Sequence, residues 1–125
     1  MILLLKVVGV AIVLIGCLHA ALGVGAEKIL DPSVPSDALT HASLDSQNRF
    51  YGATFAIFGV LLWLCSTDMN RYSTVFRAMM IVFFAGGLVR ILSVAVRGWP
   101  SRQIIGLAAV ELVVPPLLLI WQASL

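Results

Sequence analysis

The sequence predicts an all-α membrane protein, with four transmembrane helices in an up-down-up-down antiparallel bundle. Four apolar windows, 2–25, 47–66, 75–96 and 104–122, each approach the roughly 20 residues that carry a helix across hydrocarbon. Charge is scarce as well. Of the residues, 61% are hydrophobic and only 11% charged, where a soluble domain carries about a quarter, and the mean hydropathy is +1.05. A chain of 125 residues has too much surface for its volume to hide that much apolar matter from water. The bilayer must serve as its solvent.

The first window, from Ile2, could be read as a secretory signal, with Val24 and Ala26 resembling a cleavage site. Its apolar stretch is about twice the length of a signal's hydrophobic core, and one basic residue, Lys6, stands near its start. It therefore reads as a retained span. Residues 26–44 are polar and contain Asp31-Pro32 and Val34-Pro35, so they are expected to form a loop rich in turns. The second window is apolar from Phe50, and its first turn is expected to reach back towards Asp45 in the headgroup region. A tight polar turn, 67–74, leads into the third window, and RGWPSRQ (97–103), punctuated by Gly98 and Pro100, leads into the fourth. No window alternates as a strand would. The short connections make neighbouring spans antiparallel, and the chain reads as one domain, 1–125.

Small residues mark where helices can approach closely. Gly9, Gly16 and Gly23 recur every seven residues in the first span; Gly52, Ala56 and Gly59 form a similar stripe in the second, and Gly86-Gly87 sit midway along the third. Such stripes serve packing within the chain or contact between copies of it. Pro115-Pro116 in the fourth span leave the carbonyl of Glu111 without its helical donor and are expected to bend the helix there. Trp63, Trp99 and Trp121, with Tyr51 and Tyr72, lie near span ends as interfacial anchors.

The net charge of +2 and the scattered basic residues exclude a nucleic-acid surface. Cys17 and Cys65 lie in apolar runs without metal or redox spacing and read as small buried hydrophobes, so neither metal nor cofactor is expected. Orientation is weakly encoded. With a cytoplasmic N-terminus, Lys6, Arg71 and Arg77 lie inside and Lys28, Arg49, Arg97 and Arg102 outside, a count slightly against the positive-inside rule. Arg49 and Arg97 are better explained as occupied within the structure than as free loop charges, and both termini are placed in the cytoplasm.

Ionisable groups in hydrocarbon are costly and mark function by default. His19 and Arg90 lie about 9 Å, and Glu111 about 11 Å, from the ends of their spans. In an antiparallel bundle those ends face one side, so the three groups are expected at one level. Arg90 and Glu111 should pair, because either alone would be heavily penalised. Arg90, Ser93 and Arg97 share a helix face by their spacing. Asp45, Arg49 and Tyr51 lie at the rim of the same side. A polar pocket of His19, Asp45, Arg49, Tyr51, Arg90, Ser93, Arg97 and Glu111 is the candidate site, and an ion pair that merely locks the bundle is the plain alternative. No catalytic residue is assigned, and His19 alone reads more simply as a hydrogen-bonding packing residue.

HAALG (19–23), DSQNRFYG (45–52), GGLVRILSVAVRGWPS (86–101) and ELVVPP (111–116) together resemble an uncharacterised bacterial family of small four-span inner-membrane proteins, that of the Acinetobacter trimeric membrane protein. The likeness covers essentially the whole chain. It implies a plasma-membrane homotrimer with a role in envelope integrity, and it places Arg49, Arg90, Ser93 and Glu111 at motif positions without assigning them chemistry. The expected function is a non-enzymatic, homo-oligomeric membrane protein whose pocket binds an anionic or amphipathic ligand such as a lipid headgroup. Two rivals stand beside it. One is a small transporter or channel with an ion- or proton-linked Glu111, and the other is an intramembrane enzyme using His19 and Glu111 as acid and base.

Overall fold

Wherever the chain is long and apolar it is helical, and most of what lies between is helical too. The computed structural model describes all 125 residues and contains no strand. Six helices follow in order: α1 (Ile2–Leu22), α2 (Val24–Leu30), α3 (Ser36–Leu39), α4 (Ala42–Thr67), α5 (Ser73–Arg97) and α6 (Arg102–Ala123). Of these, α1, α4, α5 and α6 are long and apolar enough to cross a membrane. The chain divides into two compact units, Met1–Met69 with α1 to α4 and Asn70–Leu125 with α5 and α6.

In the first unit α1 packs antiparallel on α4, and the glycines explain how closely. A Cβ on Gly9 would stand 2.9 Å from the Gly59 carbonyl oxygen; one on Gly16 would stand 2.6 Å from that of Gly52 and press on the backbone of Ala56. Each seven-residue step up α1, from Gly9 to Gly16 to Gly23, meets a seven-residue step down α4, from Gly59 to Gly52 to Asp45. The small-residue stripes are therefore the α1–α4 seam. Backbones in contact gain dispersion along the whole crossing, which replaces the hydrophobic effect in lipid.

The second unit pairs α5 with α6, again antiparallel. Phe76, 0% exposed, meets Trp121 edge-on with centroids 6.5 Å apart. Beside them Gln122 accepts from Arg77 Nε (3.1 Å) and donates to the Ser73 carbonyl (3.3 Å), so the polar groups at this end satisfy one another. Further along, Gly87 lets α6 approach, because a Cβ there would lie 2.8 Å from Leu112 Cγ. α6 continues as one helix through Pro115-Pro116, with Pro115 buried.

Three boundaries differ from the hydropathy reading. The first span, expected to reach residue 25, breaks at Gly23, where φ 59° and ψ −129° suit glycine and strain any side chain. The expected loop 26–44 holds most of α2 and all of α3. A turn separates them, with Asp31 accepting from the Ser33 amide (3.0 Å) and hydroxyl (2.6 Å). The second span begins at Ala42, five residues before the expected 47, and His41 Nδ1 accepts from the Leu44 amide there. Hydropathy registers apolar residues only, whereas a capped polar turn extends a helix equally well.

Candidate functional site

In the first unit the break at Gly23 gathers the polar groups. A helix that stops leaves its last carbonyls without donors. Arg49, from α4, supplies them: its Nη1 donates to the carbonyls of Ala20 (3.0 Å) and Ala21 (2.7 Å). Its Nε donates to Asp45 Oδ2 at 2.7 Å, one helical turn away. Asp45 in turn accepts from the Val24 amide at the first residue of α2. One i, i+4 pair thus serves both sides of the break, a cation at the closing end of α1 and an anion at the opening of α2. The Asp45 carboxylate occupies the space where a Gly23 Cβ would project. Gly23 is needed for its backbone angles and for this vacancy alike.

His19 spans the same break. Its Nδ1 lies 3.0 Å from the Ile15 carbonyl and its Nε2 lies 3.3 Å from Glu27 Oε1 of α2, with the imidazole only 13% exposed. Both ring nitrogens face oxygen acceptors.

In the second unit Arg90 and Glu111 form the expected ion pair, Nε to Oε2 at 2.7 Å and Nη2 to Oε1 at 3.2 Å. The two parallel bonds fix the guanidinium plane. The glycines explain the approach, since Gly86 and Gly87 keep side chains out of the space in front of Glu111. The carboxylate is 16% exposed and the guanidinium 38%, so the anion is shielded and the cation half open. Ser93 and Arg97, one and two turns on, are exposed.

Of the eight candidate residues, the first unit holds His19, Asp45, Arg49 and Tyr51, and the second holds Arg90, Ser93, Arg97 and Glu111. Within the first, Asp45 and Arg49 bond directly, and His19 joins them through the break both serve. Tyr51 is exposed and meets Phe50 edge-on at 6.0 Å. Within the second, Arg90 and Glu111 are in contact. Sequence reasoning passed over Glu27, which falls in the expected loop 26–44, and Gly23, counted only as part of a stripe. A glycine at the end of a seven-residue stripe, followed by an acid four residues on, was the available signal.

Loss of Arg49 should be felt locally. Arg49→Met leaves two carbonyls without their donor and is expected to cost about 1–3 kcal/mol. Amide exchange at Gly23 and Val24 should accelerate while the Gly9–Gly59 end of the seam keeps its protection. Unchanged exchange at 23 and 24 would show that Arg49 does not hold the break.

No curated protein and no solved structure matches the chain. Over residues 1–122, however, the sequence matches one family, described as a domain of unknown function (DUF4345). Glycine seam, broken first span and paired intramembrane charges all fall within that stretch, and the chain belongs to this family.

Proposed function

We propose that the protein is a non-enzymatic, homo-oligomeric component of the bacterial plasma membrane, trimeric as its resemblance implies and with both termini cytoplasmic. It supports the envelope by binding an anionic or amphipathic ligand, with a lipid headgroup the simplest choice. The observation that carries this is the half-open guanidinium of Arg90. Glu111 engages its Nε and Nη2 and leaves Nη1 with donors to offer. Ser93 and Arg97 continue from it along one face of α5, exposed and without a side-chain hydrogen bond or ion pair. A ladder of donors in a membrane helix calls for an acceptor, and an anionic headgroup supplies several oxygens at once.

Binding is favoured over catalysis because the candidate base, His19, has both nitrogens engaged by Ile15 and Glu27. A proton-linked carrier would need Glu111 free of Arg90 for part of its cycle, and the bidentate pair opposes that. The test is lipid analysis of the purified protein. The native chain should carry an enriched anionic lipid. Arg97→Gln, which leaves the Arg90–Glu111 pair alone, should lower that enrichment by roughly tenfold, as loss of a charge-assisted hydrogen bond implies. No enrichment, or the same enrichment in Arg97→Gln, would remove the proposal.

A further inference from the structure

A second feature lies in the first unit, away from the break at Gly23. Where Gly9 crosses Gly59, the α1–α4 seam opens into a notch of about 250 Å³. The two glycines floor it, and Val10, Leu14, Val60 and Trp63 wall it, without a polar surface anywhere. Val10, Leu14, Val60 and Trp63 are themselves exposed, so the notch opens outward. An apolar groove in hydrocarbon is not yet a site, because any lipid chain fills it indifferently. Lys6 changes that.

Lys6 precedes Gly9 and Val10 by three and four residues, on the face that carries them. Its ammonium sits over the Trp63 ring, 5.4 Å from the centroid, within cation–π range. Trp63 is at once a wall of the notch and the seat of the Lys6 ammonium at its head. That charge is not neutralised. Lys6 makes no ion pair: α1 contains no carboxylate, Asp45 of α4 is held by Arg49 at the other end of that helix, and Asp68, which caps α4 five residues past Trp63, is engaged elsewhere. Leu14, at the far end of the notch, lies about 12 Å along α1 from Lys6. A long apolar slot headed by an unpaired ammonium at an interfacial tryptophan matches one kind of molecule in a bilayer.

We propose that this notch holds one acyl chain of an anionic glycerophospholipid, whose phosphate pairs with Lys6. The chain lies between the exposed side chains of Val10, Leu14, Val60 and Trp63, over the two buried glycines, where a flexible hydrocarbon makes contacts that a protein helix about 10 Å wide cannot reach. Trp63 positions the ammonium, and Lys6 supplies the preference for a negative headgroup. The site shares no residue with the α5 ladder and stands whether or not that ladder binds lipid.

Trp63 is also the reporter. A variant keeping it as the single tryptophan (Trp99→Phe, Trp121→Phe) is placed in vesicles of brominated phosphatidylcholine or brominated phosphatidylglycerol, and fluorescence quenching gives the relative association of the two lipids. If loss of Trp121 disturbs α5 and α6, the same quantity is the quenching difference between the native chain and Trp63→Phe. The glycerol lipid should be preferred about fivefold, as one near-surface lysine implies. Lys6→Gln should bring the ratio close to unity, and Arg97→Gln should leave it unchanged. Equal quenching by both lipids in the native chain, a preference surviving Lys6→Gln, or a loss of preference in Arg97→Gln would each overturn the site. No quenching by either lipid would overturn it too, by showing that protein covers the notch.

Discussion

Replacing Gly16 by valine is expected to force α1 and α4 apart and to cost roughly 3 kcal/mol or more, the upper range for overpacking. Most small-to-large changes are absorbed by a side chain that swings aside. Here nothing can swing, because the new Cβ meets backbone, the Gly52 carbonyl at 2.6 Å and the amide and Cα of Ala56. Moving those atoms moves the helix. The loss should appear as an earlier unfolding midpoint in detergent, with helix content retained, since each span keeps its internal hydrogen bonds when the pair separates. Gly106→Ala is the control. No atom lies within 4 Å of a Cβ built there, and alanine suits a helix interior better by up to about 1 kcal/mol. A Gly16→Val protein with an unshifted midpoint would show that α1 does not depend on its seam with α4.

How much of this was legible in the sequence depended on which physical term set each feature. The four spans follow from the length of apolar runs, a property each run carries by itself, so they were readable from hydropathy. The α1–α4 register was half readable. The seven-residue spacing of Gly9, Gly16 and Gly23 was plain, but a stripe does not name its partner, and only the packed pair of helices sets Gly59 and Gly52 opposite. The pairing of Arg90 with Glu111 was readable because an isolated charge at that depth has few alternatives.

The break at Gly23 was not readable by the same means. Apolar character continues through Ala26, so no composition change announces it. What ends α1 is a backbone angle stabilised from elsewhere, by a carboxylate and a guanidinium more than twenty residues along the chain. In the sequence those two looked like members of a rim. Their work as caps for helices other than their own depends on tertiary approach, which no local pattern encodes. Glu27 was passed over for the same reason, since the expected loop 26–44 that contains it is where α2 runs.

Within the second unit, Glu111→Leu is expected to be among the most damaging of single changes, costing about 3–5 kcal/mol, because it leaves a charged guanidinium in hydrocarbon. Arg90→Met should cost less. A carboxyl left alone in an apolar setting has a neutral form open to it, whereas a guanidinium has none. The double variant Arg90→Met/Glu111→Leu should recover most of the loss, since a buried pair replaced by apolar groups of similar volume is often nearly neutral. Unfolding midpoints of the four proteins close the cycle, and the coupling between the two positions should be large and favourable to the native pair. A double variant as unstable as Glu111→Leu alone would instead make the pair the element that holds α5 against α6. Recovery has a sharper consequence. A stable double variant no longer needs the charges to fold, so its lipid content isolates what Arg90 does beyond packing. Retained anionic lipid would then place binding elsewhere on the chain. A fall, in a well-folded protein, to what the Lys6 notch alone retains would tie the ligand of the α5 ladder to the guanidinium.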